Sequence, residues 1–341
     1  MSLGTFVSIM SQMISGAALV SSIVPVPAVA AAGMTAVLML VYVLFGGAWG
    51  AGLVGRVKTA LLYGLTVLCA VMVLHLSGGK EILQLPKMQF FNLFSRGLIV
   101  DGGAGLSLVF GVLTTQAYFL PVISAKDLRA AKSGAIIGGV LTVVIGAAGV
   151  LVGLFMRTQM PDTPSASVLP VFVLTYFPGF IAGVVLATIL VTLVGTGAGL
   201  SLGISTMLTM DIYMTYLNPK ASGKEQLRFS RGVLAAVLLL AALLAAGEVG
   251  SLILQWSFLS MGLRGAVAFV PVCFALFFSG RLPAKCAAFS MIAAPTVSML
   301  SFFFVKEIDP LFPGMAVSLL ICLLGAAAKR KPCISQGSNV R

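Results

Sequence analysis

An apolar stretch from Val191 to Tyr213 carries Thr192, Gly195, Thr196, Gly199, Ser201, Gly203, Ser205 and Thr206 and runs directly into Asp211. Residues three or four apart share one face of a helix, so these hydroxyls and glycines form a polar seam. Inside a membrane span such a seam has two uses. Glycines let backbones approach closely, and oxygen atoms can converge on a small cation. A hard cation takes several oxygens, and the Thr196 hydroxyl with the Thr192 carbonyl one turn earlier offers two. Gly195, Gly199 and Gly203 at four-residue spacing suit a close helix crossing equally well, and membrane hydroxyls often bond their own backbone.

Two other groups carry chemistry. In Thr114-Thr115-Gln116, the amide has two donors and an acceptor, enough to orient a polar solute or to tie two helices together. Arg264 lies well inside an apolar run, in Ser260-Met261-Gly262-Leu263-Arg264-Gly265-Ala266. A buried guanidinium costs several kcal/mol unless partnered. Its expected partners are a solute carboxylate held bidentately, or neighbouring carbonyls reached by snorkelling. Asp211 with Arg228 and Arg231 predicts a structural salt bridge or loop tether, and Asp127 with Lys126 and Arg129 a solvated charged loop. Gln12 reads as a packing contact. Cys69, Cys273, Cys286, Cys322 and Cys333, with the single histidine His75, form no CxxC or zinc pattern. Gly102-Gly103-Ala104-Gly105 lacks the strand and lysine of a phosphate-cradling loop. No cluster of His, Cys or paired carboxylates supports an enzyme.

The elements that position these residues are membrane helices. Of 341 residues, 59% are hydrophobic and only 9% charged, with a mean hydropathy of +1.11. A bilayer core needs about 20 apolar residues per crossing, and apolar runs predict ten spans: 3–23, 28–46, 50–76, 98–121, 131–156, 178–208, 232–247, 250–278, 284–304 and 312–328. The fold class is therefore all-α and polytopic, with a short surface helix expected over 169–177. The first span has no basic leader or cleavage site and reads as a retained helix. Basic residues cluster on one side: Arg56 and Lys58, Lys126 to Lys132, Lys220 to Arg231, Arg281 and Lys285, and the C-terminal tail hold fifteen of the 21 Lys and Arg residues. That side is expected to be cytoplasmic, with both termini on it, in a plasma membrane. The net charge of +12 is then a topology signal and not a nucleic-acid surface.

Three passages resemble the sodium:solute symporter family. The first is Thr114-Thr115-Gln116-Ala117-Tyr118 followed by Ser124-Ala125-Lys126-Asp127 through Ala135. The second is the Thr196 helix ending in Thr209-Met210-Asp211-Ile212-Tyr213 before a basic loop and Arg231-Gly232. The third is Gly46-Gly47. The resemblance runs from the first helix to the last. It implies a leucine-transporter-like fold of two inverted five-helix repeats with the solute and ion sites at mid-membrane. Residues 1–97 would complete the first repeat, 98–278 form the second, and 279–341 add further helices and a tail, all within one transmembrane domain. Two core helices of the first repeat are then expected to be missing at the N-terminus.

The resemblance implies a secondary transporter moving a small polar or anionic solute with a cation, sodium in the first instance, and no other cofactor. Thr114, Thr115, Gln116 and Arg264 are the implied solute-binding residues, and Thr192, Gly195 and Thr196 the ion-binding ones. Val54-Gly55 stand where the family usually has Thr-Asp, Lys58 where it has glutamine, and Gly195 where it has the first of two hydroxyls. The other reading open to the sequence is a truncated or non-transporting membrane subunit.

Overall fold

The structure is a computed structural model that describes residues 2–77, 80–115, 122, 125–247, 253–304 and 309–328; of residues 46–54, 56, 80 and 81 it describes the backbone alone. The long or apolar helices are α1 (Ser2–Ile23), α2 (Ala28–Ser77), α3 (Leu98–Thr114), α4 (Leu128–Gln159), α5 (Val168–Tyr176), α6 (Gly179–Met207), α7 (Gly223–Ala246), α8 (Ile253–Phe277), α9 (Ala284–Phe304) and α10 (Leu311–Ala328). No strand occurs among the described residues. Nine segments among them are long and apolar enough to cross a bilayer, two of which, Ala28–Phe45 and Val57–Ser77, lie in α2.

The chain forms two compact units. One comprises Ser2–Ser95 and Val122–Ser257, the other Arg96–Pro121 and Phe258–Arg341 with Met1. In the first, α6 lies against α1, α2 and α7. Ile9, Met13, Ile14 and Ala17 of α1, Met39 of α2, Ala198 of α6 and Leu234, Leu238 and Ala241 of α7 make one core cluster. A second gathers Cys69 and Val73 with Phe155, Phe172, Val173 and Val185. The outward faces stay apolar: Ile136, Ile137, Val140 and Val143 of α4 are all exposed, as a surface facing lipid requires. In the second unit α9 packs along α10, and Ala266, Ala294 and Leu311 form its central contact.

Several boundaries differ from those predicted. Spans 28–46 and 50–76 are one continuous helix, so no connection separates them at residues 47–49. Alanines and leucines on both sides of the glycines keep the i to i−4 ladder intact, and nothing there breaks the backbone as a proline would. Helix α3 stops at Thr114 instead of 121. Helix α7 begins at Gly223 instead of 232, because Ser222 and Glu225 form a reciprocal capping box; this draws Lys224, Arg228 and Arg231 out of the expected loop. The segment read as a surface helix does form, as α5, but Phe172 and Val173 are fully buried. Phe172 meets Phe155 and Tyr176 edge-on or tilted, with centroids 6.0 and 5.2 Å away. It is a packed element.

Candidate functional site

The seam lies along α6, and most of its hydroxyls turn inward to their own helix. Thr188, Thr192 and Thr196 each donate to the carbonyl four residues earlier at 2.8 Å, and Ser201 donates to Gly197 at 2.6 Å. The Thr192 carbonyl thus accepts the Thr196 hydroxyl in addition to the backbone N–H that an α-helix already brings to it. Gly195 is partly buried and Thr196 exposed. The glycines do not behave as one stripe. A Cβ on Gly199 or Gly203 would meet nothing within 4 Å, whereas one on Gly197 would lie 2.5 Å from Met39 Cε and 3.4 Å from Gln12 Cβ. The close approach of α6 to α1 and α2 is therefore at Gly197, between the positions the spacing singled out, and Gln12 is a packing residue there.

Gly195 faces something else. A Cβ placed on it would lie 3.5 Å from Lys58 Nζ and 3.5 Å from the Tyr42 hydroxyl. Both side chains come from α2. Sixteen residues would separate them by about 24 Å along a straight helix, too far for both to reach one atom, so α2 bends between them.

Below the seam the helix widens. Leu208–Leu217 is π-helical, with the Asn218 N–H donating to the Tyr213 carbonyl at 2.7 Å, a five-residue spacing that needs a looser turn. Asp211 is exposed, and among the described residues it makes no ion pair with Arg228 or Arg231, which corrects the predicted salt bridge. With Arg228 and Arg231 on the exposed side of α7, a charge pair here would be solvated and weak. The join is instead made by Tyr213 stacked on Phe229, centroids 4.2 Å apart and 15° between planes. Ser205 adds a 2.5 Å bond to the Ser230 carbonyl. Asp127 likewise does more than sit in a charged loop: its carboxylate accepts the Ala130 N–H at 2.7 Å and caps α4.

In the second unit Thr115 and Arg264 meet. Arg264 is 2% exposed and Thr115 6%. The guanidinium donates to the Thr115 hydroxyl at 3.2 Å and to the Ser260 hydroxyl at 2.8 Å. Thr115 is the residue on which α3 ends, and its hydroxyl donates to the Gly111 carbonyl at 2.6 Å. Gly111 makes the arrangement possible, since a Cβ there would sit 2.7 Å from the Met261 carbonyl oxygen and 2.8 Å from Met261 Cα. Helices α3 and α8 cross backbone against backbone, one turn before Arg264. Thr114 is partly buried and returns its hydroxyl to the Phe110 carbonyl at 2.8 Å. Gln116 lies outside the described residues. Sequence reading missed Ser260, although it stands one turn from Arg264 on the same face. It also missed Asp309, whose carboxylate accepts Ser107 at 2.5 Å and the Leu311 N–H at 2.9 Å. Among the described residues, no three His, Cys, Asp or Glu converge on one point.

The arrangement offers a buried cation bonded to the hydroxyls of Thr115 and Ser260 in one unit, and a helix face meeting an amine at Gly195 in the other. These are means for binding polar groups inside a membrane. Over 92% of its length the chain is 25% identical to the sodium/pantothenate symporter of Escherichia coli (strain K12), spanning 67% of that protein. A shorter stretch of 85 residues is 40% identical to a urea–proton symporter of Oryza sativa subsp. japonica and covers 10% of it. The fold matches a Na+-coupled sialic acid symporter, solved substrate-bound and outward-open, with a TM-score of 0.70 at 17% identity, covering 96% of this chain and 74% of that one. This is the leucine-transporter-like architecture. The family model for sodium:solute symporters matches residues 2–294, and the chain belongs to the sodium:solute symporter family.

Proposed function

We propose that this chain takes part in moving a small polar or anionic solute across the plasma membrane by alternating access, with both termini cytoplasmic. On this reading residues 1–97 belong to the first repeat, 98–278 form the second and 279–341 lie beyond them. The single observation that carries the solute assignment is the guanidinium of Arg264, 2% exposed inside a membrane helix and bonded to Thr115 where α3 ends. A planar fork of donors suits a carboxylate. Thr114 and Gln116 flank Thr115 in the chain and belong to the same solute path. Cation coupling is assigned to the face of α6 at Thr192, Gly195 and Thr196, with sodium the first ion to test. The work such a protein does is to lower the bilayer barrier, so no bond chemistry and no organic cofactor is called for.

The supporting experiment is a solute-binding screen on the purified chain, beginning with pantothenate, sialic acid and urea, the solutes of its relatives. Arg264→Gln should weaken binding of carboxylate solutes at least tenfold while leaving urea unchanged. Equal affinity for carboxylates in the two forms would overturn the assignment of Arg264.

A further inference from the structure

The seam face that the family would offer to a cation meets a lysine here. Gly195 is 16 residues from the start of α6 at Gly179 and 12 from its end at Met207, about 24 and 18 Å along the axis. A side chain beside Gly195 is therefore at the middle of a membrane helix, far from either end. The amine of Lys58 is at that depth, 3.5 Å from where a Gly195 Cβ would be, with the Tyr42 hydroxyl at the same distance. Lys58 also lines a cavity of roughly 310 Å³ whose other walls are Val57, Leu61, Val184, Ala187, Thr188 and Val191. Thr188 brings the one hydroxyl of that wall, and its proton is given to the Val184 carbonyl. Among the described residues no carboxylate lies within ion-pair distance of Lys58. The amine thus stands against the α6 face at Gly195 with no carboxylate beside it among the described residues.

We propose that the ammonium group of Lys58 is a resident cation at the α6 seam, filling the role of a bound sodium ion and keeping sodium out. The inference rests on the ion-face assignment above and names what occupies that face. Two unit charges about 4 Å apart repel strongly enough, at the effective dielectric of a protein site, to weaken ion binding on the order of a thousandfold. Gly195 contributes to the same end, because a glycine leaves room for the long side chain and offers no side-chain oxygen to a metal ion. Tyr42 supplies a hydroxyl oxygen on the amine's side.

Equilibrium binding of radioactive sodium to the purified full chain tests this without any solute. Wild type and Lys58→Arg should show no saturable binding, and Lys58→Met should bind sodium at least tenfold more tightly. Lys58→Gln, which keeps the length and polarity of the side chain, is the second neutral variant, and a monodisperse gel-filtration peak qualifies each. Saturable sodium binding by wild type equal to that of the neutral variants would overturn the proposal. So would an equal lack of binding in all forms, since removing the charge would then have changed nothing. Failure of the transport reading would appear separately, as absent solute uptake.

Discussion

Replacing Gly111 with alanine places one methyl group where the backbones of α3 and α8 cross. The added Cβ would lie 2.5 Å from Met261 Cβ, 2.7 Å from its carbonyl oxygen and 2.8 Å from its Cα, where ordinary contact begins at 3.4 Å. Two of these three atoms are backbone, so no rotamer change relieves the contact. The helices must part by about 0.9 Å to bring the 2.5 Å contact to 3.4 Å, and overpacking of this kind costs roughly 1–3 kcal/mol. Alanine returns up to about 1 kcal/mol through its helix propensity, so a cost at the upper end of that range leaves a net loss of about 2 kcal/mol. The functional consequence is sharper. The Arg264 to Thr115 bond is already 3.2 Å, and an opening of about 0.9 Å takes it beyond hydrogen-bonding range. Gly105→Ala is the matched control, on the same helix with nothing within 4 Å of its new Cβ. Thermal unfolding of both variants in detergent should show Gly111→Ala several degrees below wild type and Gly105→Ala at or above it, with solute affinity reduced only in the first. Equal behaviour of the two would refute the crossing and its link to Arg264.

Other expectations follow from single contacts. Asp309→Ala removes the acceptor of both Ser107 and the Leu311 N–H and should destabilise the chain by about 1–2 kcal/mol, whereas Asp309→Asn should lose less; chemical denaturation reads both. Ser222→Ala breaks one half of the α7 capping box and should cost about 1 kcal/mol by the same measurement. Tyr213→Ala removes the stack on Phe229 and should loosen the π-helical end of α6, seen as faster proteolysis near Leu217, while Tyr213→Phe should behave as wild type.

The helices were legible where an apolar run is bounded by charge or proline, as for α1, α9 and α10. They were misjudged where glycine stood for a break. Gly46-Gly47 falls where two predicted spans part, yet a membrane helix tolerates glycine because no water competes for its backbone, so α2 continues. The start of α7 was missed because its basic residues suggested a loop, although Ser-x-x-Glu at Ser222 and Glu225 is a capping signal visible in the sequence. For the site, types were legible and pairings only in part. Arg264 stood out as a buried charge, and its bond to Thr115 crosses 149 positions of sequence, a separation that no periodicity encodes. Lys58 was counted as a surface charge marking orientation. Only the bend of α2, which brings Lys58 and Tyr42 to one point on α6, shows that its amine belongs to the seam.

The central claim is transport, and uptake into sealed proteoliposomes tests it most directly. Labelled pantothenate, sialic acid and urea would be offered to vesicles carrying the purified chain, with protein-free vesicles and an Arg264→Gln form alongside. Saturable uptake of a carboxylate-bearing solute above the protein-free rate is expected, lost in Arg264→Gln. Uptake of every solute at the protein-free rate, by chain that is folded and inserted, would contradict it.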